Sequence, residues 1–541
     1  MPILVRNIKL ALDEPETGLI AAAARQLKVP PSAIHQYAPV RRSLDARDHA
    51  NVHFVYHVEV TLGEDEKSER ERVRRIRSQN VIVIRRQQAE EPAPGDERLG
   101  ERPLIVGFGP AGMFAALRLI RFGFRPIILE RGVEVRRRHV DVLKNFYRDR
   151  NFNRQSNLLF GEGGAGTYSD GKLYTRISDP LARTVLEWFY LHGADPDILV
   201  NARPHIGSNR LPTICRNVRE YIIQAGGEIR FDSQLEDLTI EDGVVKSVVV
   251  NGERLAVGPV ILAIGHSARD TIRMLYDRGI AVQARPFQIG VRIEHPQSLV
   301  DHWQYGAWAG HGRLPAAEYR VVTKTGPVDT AGLCGDCYSF CMCPGGMILP
   351  TNEDHGLIAT NGASKAERES PFANSGLVIT FPPQGSPDDP LAGIEFQRKW
   401  ERKAFLATGE TYRVPAQRAS DFLAGRPSDG PCETSYPLGG QWTDIRSLVP
   451  AEVGVSVERA LRILELKMPG FASAEAVIAA PETRVSAPVR FLRDSVRRTA
   501  KGIDNLYPAG DGAGYAGGII SAAVDGIKSA DAVIRRYAPG S

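Results

Sequence analysis

The sequence predicts an α/β protein built on a parallel sheet whose strands come from distant parts of the chain. Three stretches lead to that class. In 104–131, an apolar run (Leu104-Ile105-Val106) meets a glycine-rich turn, then a helical pattern, then a second apolar run ending in Glu130. In 257–265, VGPVILAIG reads as a buried strand ending in glycine. In 505–511, NLYPAGD leads towards an alanine-rich helix over 519–536.

From the N-terminus, 3–10 reads as a strand and 16–27 as an amphipathic helix with Leu19, Ile20, Ala23 and Leu27 on one face. Strands follow at 34–44 and 52–62, the second alternating through Val52, Phe54, Tyr56, Val58 and Val60, with a hairpin loop at 45–51. A charged helix over 66–77 and a strand at 81–84 complete a β-α-β-β-α-β order, which predicts a ferredoxin-like α+β module over 1–88. RNA-binding domains share that order. However, glutamates 66, 69 and 71 interleave with Arg70, Arg72, Arg74, Arg75 and Arg77, and no aromatic RNA-reading strand is present. A solvated helix face is the preferred reading, and nucleic acid is disfavoured as a partner.

Residues 89–101, polar and rich in proline and glycine, read as a linker. The unit after it has the order of a dinucleotide-binding βαβ. Gly107 permits the tight turn, Gly109 lets a pyrophosphate approach the backbone, and Gly112 allows close helix–sheet packing. The helix start offers N–H groups to phosphate. Glu130, 18 residues past Gly112, is placed to bond both ribose hydroxyls and to repel a 2′-phosphate. The same glycine spacing recurs at 161–166 and 512–517, but neither copy has the strand, helix and acid around it.

Helical sequence over 133–150 leads into a loop, 155–175, whose five glycines and several hydroxyls suit backbone running close to a cofactor. Helices near 181–192 and 212–225 precede strands at 228–232, 238–241 and 244–250. Between about 280 and 480 proline, glycine and strand-like runs dominate, with a helix near 455–466, which marks an inserted α+β substrate domain.

With 43% hydrophobic and 24% charged residues and a net charge of +4, nothing in the composition points to nucleic acid or to an acidic membrane. The N-terminus lacks the apolar core of a signal peptide, and no stretch is apolar for long enough to span a bilayer. A cytoplasmic location without membrane partners is expected. Six cysteines in 541 residues are no disulfide framework. Four of them, Cys334, Cys337, Cys341 and Cys343, crowd together without the long gap between ligand pairs usual at zinc sites, so no metal is assigned. Pocket lining and redox thiols both stay open, with Cys341 and Cys343 as catalytic candidates. Arg484, with Glu482, Ser486 and Arg490 beside it, suits either an anion clamp or a salt-bridged interface. His266 and His295 carry no catalytic assignment.

The glycine turn, the strand ending at Gly265 and Gly510-Asp511-Gly512 together resemble FAD-dependent oxidoreductases of the glutathione-reductase structural superfamily. Within it the chain resembles a family of uncharacterised FAD-dependent dehydrogenases, through SLDAR (43–47), VGFGPAGMFAAL, FGEGGAGTYSDGKLYT, YSFCMCPGG (338–346) and GDGAGYAGGIISAAVDG (510–526). The resemblance implies a discontinuous Rossmann-type FAD-binding domain (102–280 and 496–541) around the substrate domain (281–495). It implies FAD contacts at Gly107, Gly109, Pro110, Ala111, Gly112, Glu130, Arg131, Gly164, Ser169, Lys172, Gly265, Asp511 and Ile520. No second βαβ for NAD(P)H recurs, so NAD(P)H is expected at most as a transient donor. The expected activity is a dehydrogenase or reductase acting on a small organic substrate, with electron donor and acceptor unassigned. An RNA-directed, tRNA-modifying type of flavoprotein and a non-catalytic flavin scaffold are the alternatives.

Overall fold

The computed structural model of the chain describes residues 2–63, 65–84, 89–324, 335–386 and 388–540. They form two units, one containing 1–90, 172–205 and 301–317, the other 91–171, 206–300 and 318–541.

In the first unit, alternation buries Phe54, Tyr56, Val58 and Val60 of β3 (His53–Thr61), while β1 (Ile3–Ala11) buries Ile3 and Val5 and, after a bulge between Val5 and Ile8 that resets the alternation, Ile8 and Leu10. Helix α1 (Gly18–Leu27) adds Leu19, Ala23 and Leu27 to that core. With β2 (Gln36–Asp45) and β4 (Val81–Val83), the sheet is antiparallel in the order β2-β3-β1-β4. Helix α2 (Glu66–Ile76) starts where the Asp65 carboxylate accepts the amides of Lys67 and Ser68 at 3.0 and 3.1 Å. On its surface Arg70 pairs with Glu66, and Arg75 with Glu71 at 3.6 Å.

The unit also takes in segments that the sequence assigned to the FAD-binding and substrate domains. Arg42 explains the first: its amide donates to the Val200 carbonyl at 2.8 Å and its guanidinium to Asp197 at 2.7 Å. Trp308 and Leu314 of the second segment pack against the core of the four-stranded sheet.

In the second unit, β5 (Leu104–Val106), β6 (Ile127–Leu129) and β7 (Glu228–Arg230) join strands Val260–Leu262 and Leu506–Pro508 in one parallel sheet. Its order is Leu506–Pro508, Val260–Leu262, β5, β6, β7. Sequence-distant strands therefore end side by side, which is where such sheets bind ligands. Helix α3 (Pro110–Arg121) and helix Ile519–Arg536 cross closely, since a Cβ at Gly526 would strike the Ala111 carbonyl. After β6, α4 (Val135–His139) runs on into a π-helical segment, Val140–Arg148. A seven-stranded, mainly antiparallel sheet includes Phe287–Pro296, Cys337–Cys343, Phe372–Phe381 and Val477–Glu482, and a hairpin pairs Gly346–Pro350 with Thr360–Ser364.

Candidate functional site

The first wall of the site is the β5–α3 turn. Gly107 holds φ at +101°, a region open to glycine, and its amide donates to the Leu129 carbonyl at 2.7 Å. A Cβ at Gly112 would overlap the Gly107 carbonyl, so the helix reaches the turn only because that position has no side chain. Gly109 is the N-cap and Pro110 the first helical residue, with no side chain capping the helix. The atom nearest a Cβ built on Gly109 is the Gly164 Cα, 3.8 Å away. The helix start therefore keeps an uncrowded glycine face and uncapped N–H groups, which together favour an anion.

Glu130 is engaged mainly by backbone amides. Its buried carboxylate accepts the amides of Phe108 (2.9 Å), Gly132 (2.9 Å) and Gly161 (2.8 Å). A carboxylate offers about four acceptor directions, so three backbone bonds leave little for a ribose. Its first task is to tie the glycine turn, the end of β6 and the following loop together. Arg131 is likewise occupied: it meets Asp270 through two bonds of 3.0 Å, reaches Gln155 at 2.9 Å and lies 4.1 Å from the Phe160 ring centroid. Arg131 thereby clamps two segments together, with its charge matched by Asp270.

The 155–175 loop contributes a short turn, Gly164–Gly166, packed on Gly109 and Pro110. Ser169 spends its hydroxyl within that loop, donating to the Gly166 carbonyl at 2.7 Å and accepting the Gly171 amide at 3.1 Å. Lys172 belongs to the first unit, where it bridges to His205, whereas the other expected FAD contacts belong to the second. The loop is underpinned by buried Arg138, which donates to the carbonyls of Asn157, Glu162 and Gly164 at 2.8, 2.7 and 2.9 Å.

The second wall is formed where Gly265 and Gly512 meet, so closely that a Cβ on Gly512 would strike the Gly265 backbone. Here His266 Nδ1 lies 2.8 Å from Asp511 Oδ2. The other two polar atoms of the pair, His266 Nε2 and Asp511 Oδ1, are buried and have no hydrogen-bond partner. Buried polar groups left this way call for a partner, and a bound molecule is one. Two cations stand at the same turn: Arg285 and Arg490 both donate to the Gly514 carbonyl, at 2.7 and 3.2 Å. Burial pushes the Arg285 guanidinium below its ordinary value, and neighbouring Arg490 pushes the same way. Asp525 supports the turn by accepting the Gly510 amide at 2.8 Å and the Arg493 guanidinium. Ile520 is buried in the first turn of Ile519–Arg536. Sequence reasoning missed the His266–Asp511 pair because 245 positions separate its members.

The catalytic candidates fare differently. Arg484 is buried among carboxylates: it pairs with Glu353, meets Glu401 at 2.9 Å and reaches Ser267 Oγ at 3.2 Å. Arg269 joins the same two carboxylates at 3.1 and 2.9 Å. Of the two readings of Arg484, the salt-bridged interface is the one observed; an anion clamp would need a charge not already neutralised. Cys341 and Cys343 do come together, with sulfurs 4.0 Å apart, and Cys341 has a φ of +43°. Beside them the buried Arg292 pairs with Glu482 at 2.8 Å and donates to the Cys341 carbonyl at 3.2 Å. Burial pushes the Cys337 thiol up to about 12, which makes it an inert packing group. Cys334 lies outside the described residues.

Residues 286–485 match a family described as "FAD-dependent protein, C-terminal domain-like", and 2–61 match a domain of unknown function. An uncharacterised protein of Clostridium beijerinckii is 38% identical over 540 residues, 99% of each chain. Solved structures that align include the tetracycline destructase Tet(51), 13% identical over 80% of this chain and 79% of its own, TM-score 0.30. The Geobacillus kaustophilus glycine oxidase is 13% identical over 80% and 94%, TM-score 0.33. Scores this low carry no argument about activity.

Proposed function

The chain belongs to the family of FAD-dependent proteins marked by this C-terminal domain and is a flavoprotein oxidoreductase; from that premise we propose a dehydrogenase or reductase that moves hydride between FAD and a small organic molecule. The observation that carries the site assignment is the His266–Asp511 pair with two buried, unpartnered polar atoms, in the turn that abuts Gly265.

The residues present fit FAD. The start of α3 and the uncrowded face of Gly109 would take the pyrophosphate, with the Gly164 turn closing over it. Asp511 Oδ1 would accept a ribityl hydroxyl, and the start of Ile519–Arg536 would face the same ligand. Glu130 keeps at most one acceptor direction for the ribose and otherwise holds the turn in shape. Bound FAD supplies the hydride chemistry. His266, fixed by Asp511, is placed to hold or release a proton at Nε2. Arg285 and Arg490 bring positive charge to the turn, which favours a ligand that gains negative charge there. The Arg269–Arg484–Glu353–Glu401 network fixes Ser267, next to His266, without itself reacting.

The proposal extends to the rest of the chain. The β2-β3-β1-β4 order supports a ferredoxin-like reading of the N-terminal unit, and the paired arginines of α2 favour a solvated surface over RNA. The parallel sheet draws its strands from 104–262 and 506–508, and the seven-stranded sheet from 287–482, which supports a substrate domain inserted into a split FAD-binding domain. A cytoplasmic location remains part of the proposal. Among the described residues, no helix is long and apolar enough to cross a membrane.

The test is anaerobic mixing of the purified protein with NADH, NADPH and fractionated metabolite extracts, following flavin absorbance. Bleaching by a donor, with recovery on adding an acceptor, is expected. A flavin inert to every donor would replace the enzyme reading with a scaffold.

A further inference from the structure

Next to the loop that closes over Gly109, but outside the dinucleotide site, lies a second site. The π-helical segment Val140–Arg148, Leu158 and the 346–364 hairpin, with residues of 135–139 and 208–216, line an open cavity of about 710 Å³. That is within the range of pockets that hold small organic molecules, roughly 300–1,000 Å³. None of its lining residues belongs to the 107–112 turn, to 265–267 or to 510–512. A π-helical stretch is itself uncommon and tends to mark functional positions; here it turns Val142, Leu143 and Tyr147 into the cavity wall, opposite Leu349.

The polar part of the lining is one-sided. Arg136, Arg216 and Lys365 contribute three cations, and no carboxylate lines the cavity. Glu220, on the same helix, stands 3.8 Å from Arg216 Nε, too far for a hydrogen bond. Two of the lining residues each hold a buried polar atom with no hydrogen-bond partner, Arg216 Nε and the Tyr168 hydroxyl. An apolar chamber with three lining cations, of which only Arg216 has a carboxylate nearby, complements a hydrocarbon body ending in an anionic oxygen group.

We propose that this cavity binds an amphipathic organic monoanion of the fatty-carboxylate class. The carboxylate meets Arg216, Lys365 and the Tyr168 hydroxyl, and the hydrocarbon lies against the π-helical segment and Leu349. The site does not depend on the flavin reading, because the two share no residue.

Titration calorimetry of the full-length, FAD-loaded protein with dodecanoate and with dodecanol, both below their aggregation limits, tests it. One dodecanoate should bind per chain, and dodecanol at least about tenfold more weakly, a gap of about 1.4 kcal/mol. Arg216→Gln combined with Lys365→Gln should weaken dodecanoate by about tenfold or more while leaving dodecanol unchanged. Leu143→Asp, at a half-exposed position, should also repel the anion. FAD content should be the same in all variants. No dodecanoate binding, equal binding of acid and alcohol, or affinity indifferent to these substitutions would each overturn the proposal.

Discussion

Two carboxylates border the proposed cofactor site, and they are used in opposite ways. Glu130 is mostly taken up by protein: three backbone amides converge on it and hold the glycine turn to β6 and the 160s loop. Asp511 is half used, with one oxygen on His266 and the other buried and idle. The difference separates residues that build a site from residues that serve it. Both types sit in recognisable motifs, so the motif alone does not tell them apart; the count of satisfied acceptor directions does.

The sharpest way to break the comparison is to remove both acids. Glu130→Ala strands three buried amides, at about 1–3 kcal/mol each, so a severe loss of stability is expected, measured by urea unfolding of the apoprotein. A Glu130→Ala variant that folds normally and merely binds FAD less well would reverse its assignment. Glu401, buried between Arg269 and Arg484, is a control that lies wholly on the building side. Burial raises its carboxyl, but the two guanidinium groups outweigh that and hold it at about 2. A depressed carboxyl stabilises the fold above its unfolded value, near 4.5, and that contribution fades as pH falls from there towards about 2. Glu401→Gln should cost about 3–5 kcal/mol at neutral pH and should flatten the acid limb of the stability profile; an unchanged acid limb would count against the network.

Asp511→Ala removes one bond, to His266, so it should cost the apoprotein only about 0.5–1.5 kcal/mol, and it should weaken FAD by about 1–3 kcal/mol, because a buried hydroxyl of the ligand loses its acceptor. Equal FAD affinity in mutant and wild type would place the ribityl chain elsewhere. The smallest effect belongs to Ser169→Ala. Its hydroxyl bonds stay inside the loop, so about 1 kcal/mol of stability and little FAD affinity are at stake. A large affinity loss there would return Ser169 to the cofactor contacts.

What the sequence made legible follows the same division. Gly107, Gly112 and the strand endings are local requirements of backbone geometry, and local spacing reveals them. The strand at 53–61 and the helix at 18–27 were legible too, because alternation in 52–62 and the helix period in 16–27 are local patterns. Partner choice is not local. Arg131 finds Asp270 at a separation of 139 positions, and Arg484 finds Glu353 at 131. Nothing in RG or TRV announces that those charges are spent. The passage of 172–205 and 301–317 into the first unit was hidden for the same reason, since it rests on contacts such as Arg42 with Asp197. The π-helical geometry of Val140–Arg148 was hidden as well, because its composition reads as an ordinary charged helix.

The central claim is that a single FAD is held jointly by the β5–α3 turn and the Gly265–Asp511 wall. The most direct test is the flavin-to-protein ratio of purified protein, from visible absorbance before and after heat release, for wild type beside Asp511→Ala. The account predicts a yellow wild type with one FAD per chain and a variant with clearly less. A folded wild type that is colourless and takes up no added FAD would contradict it.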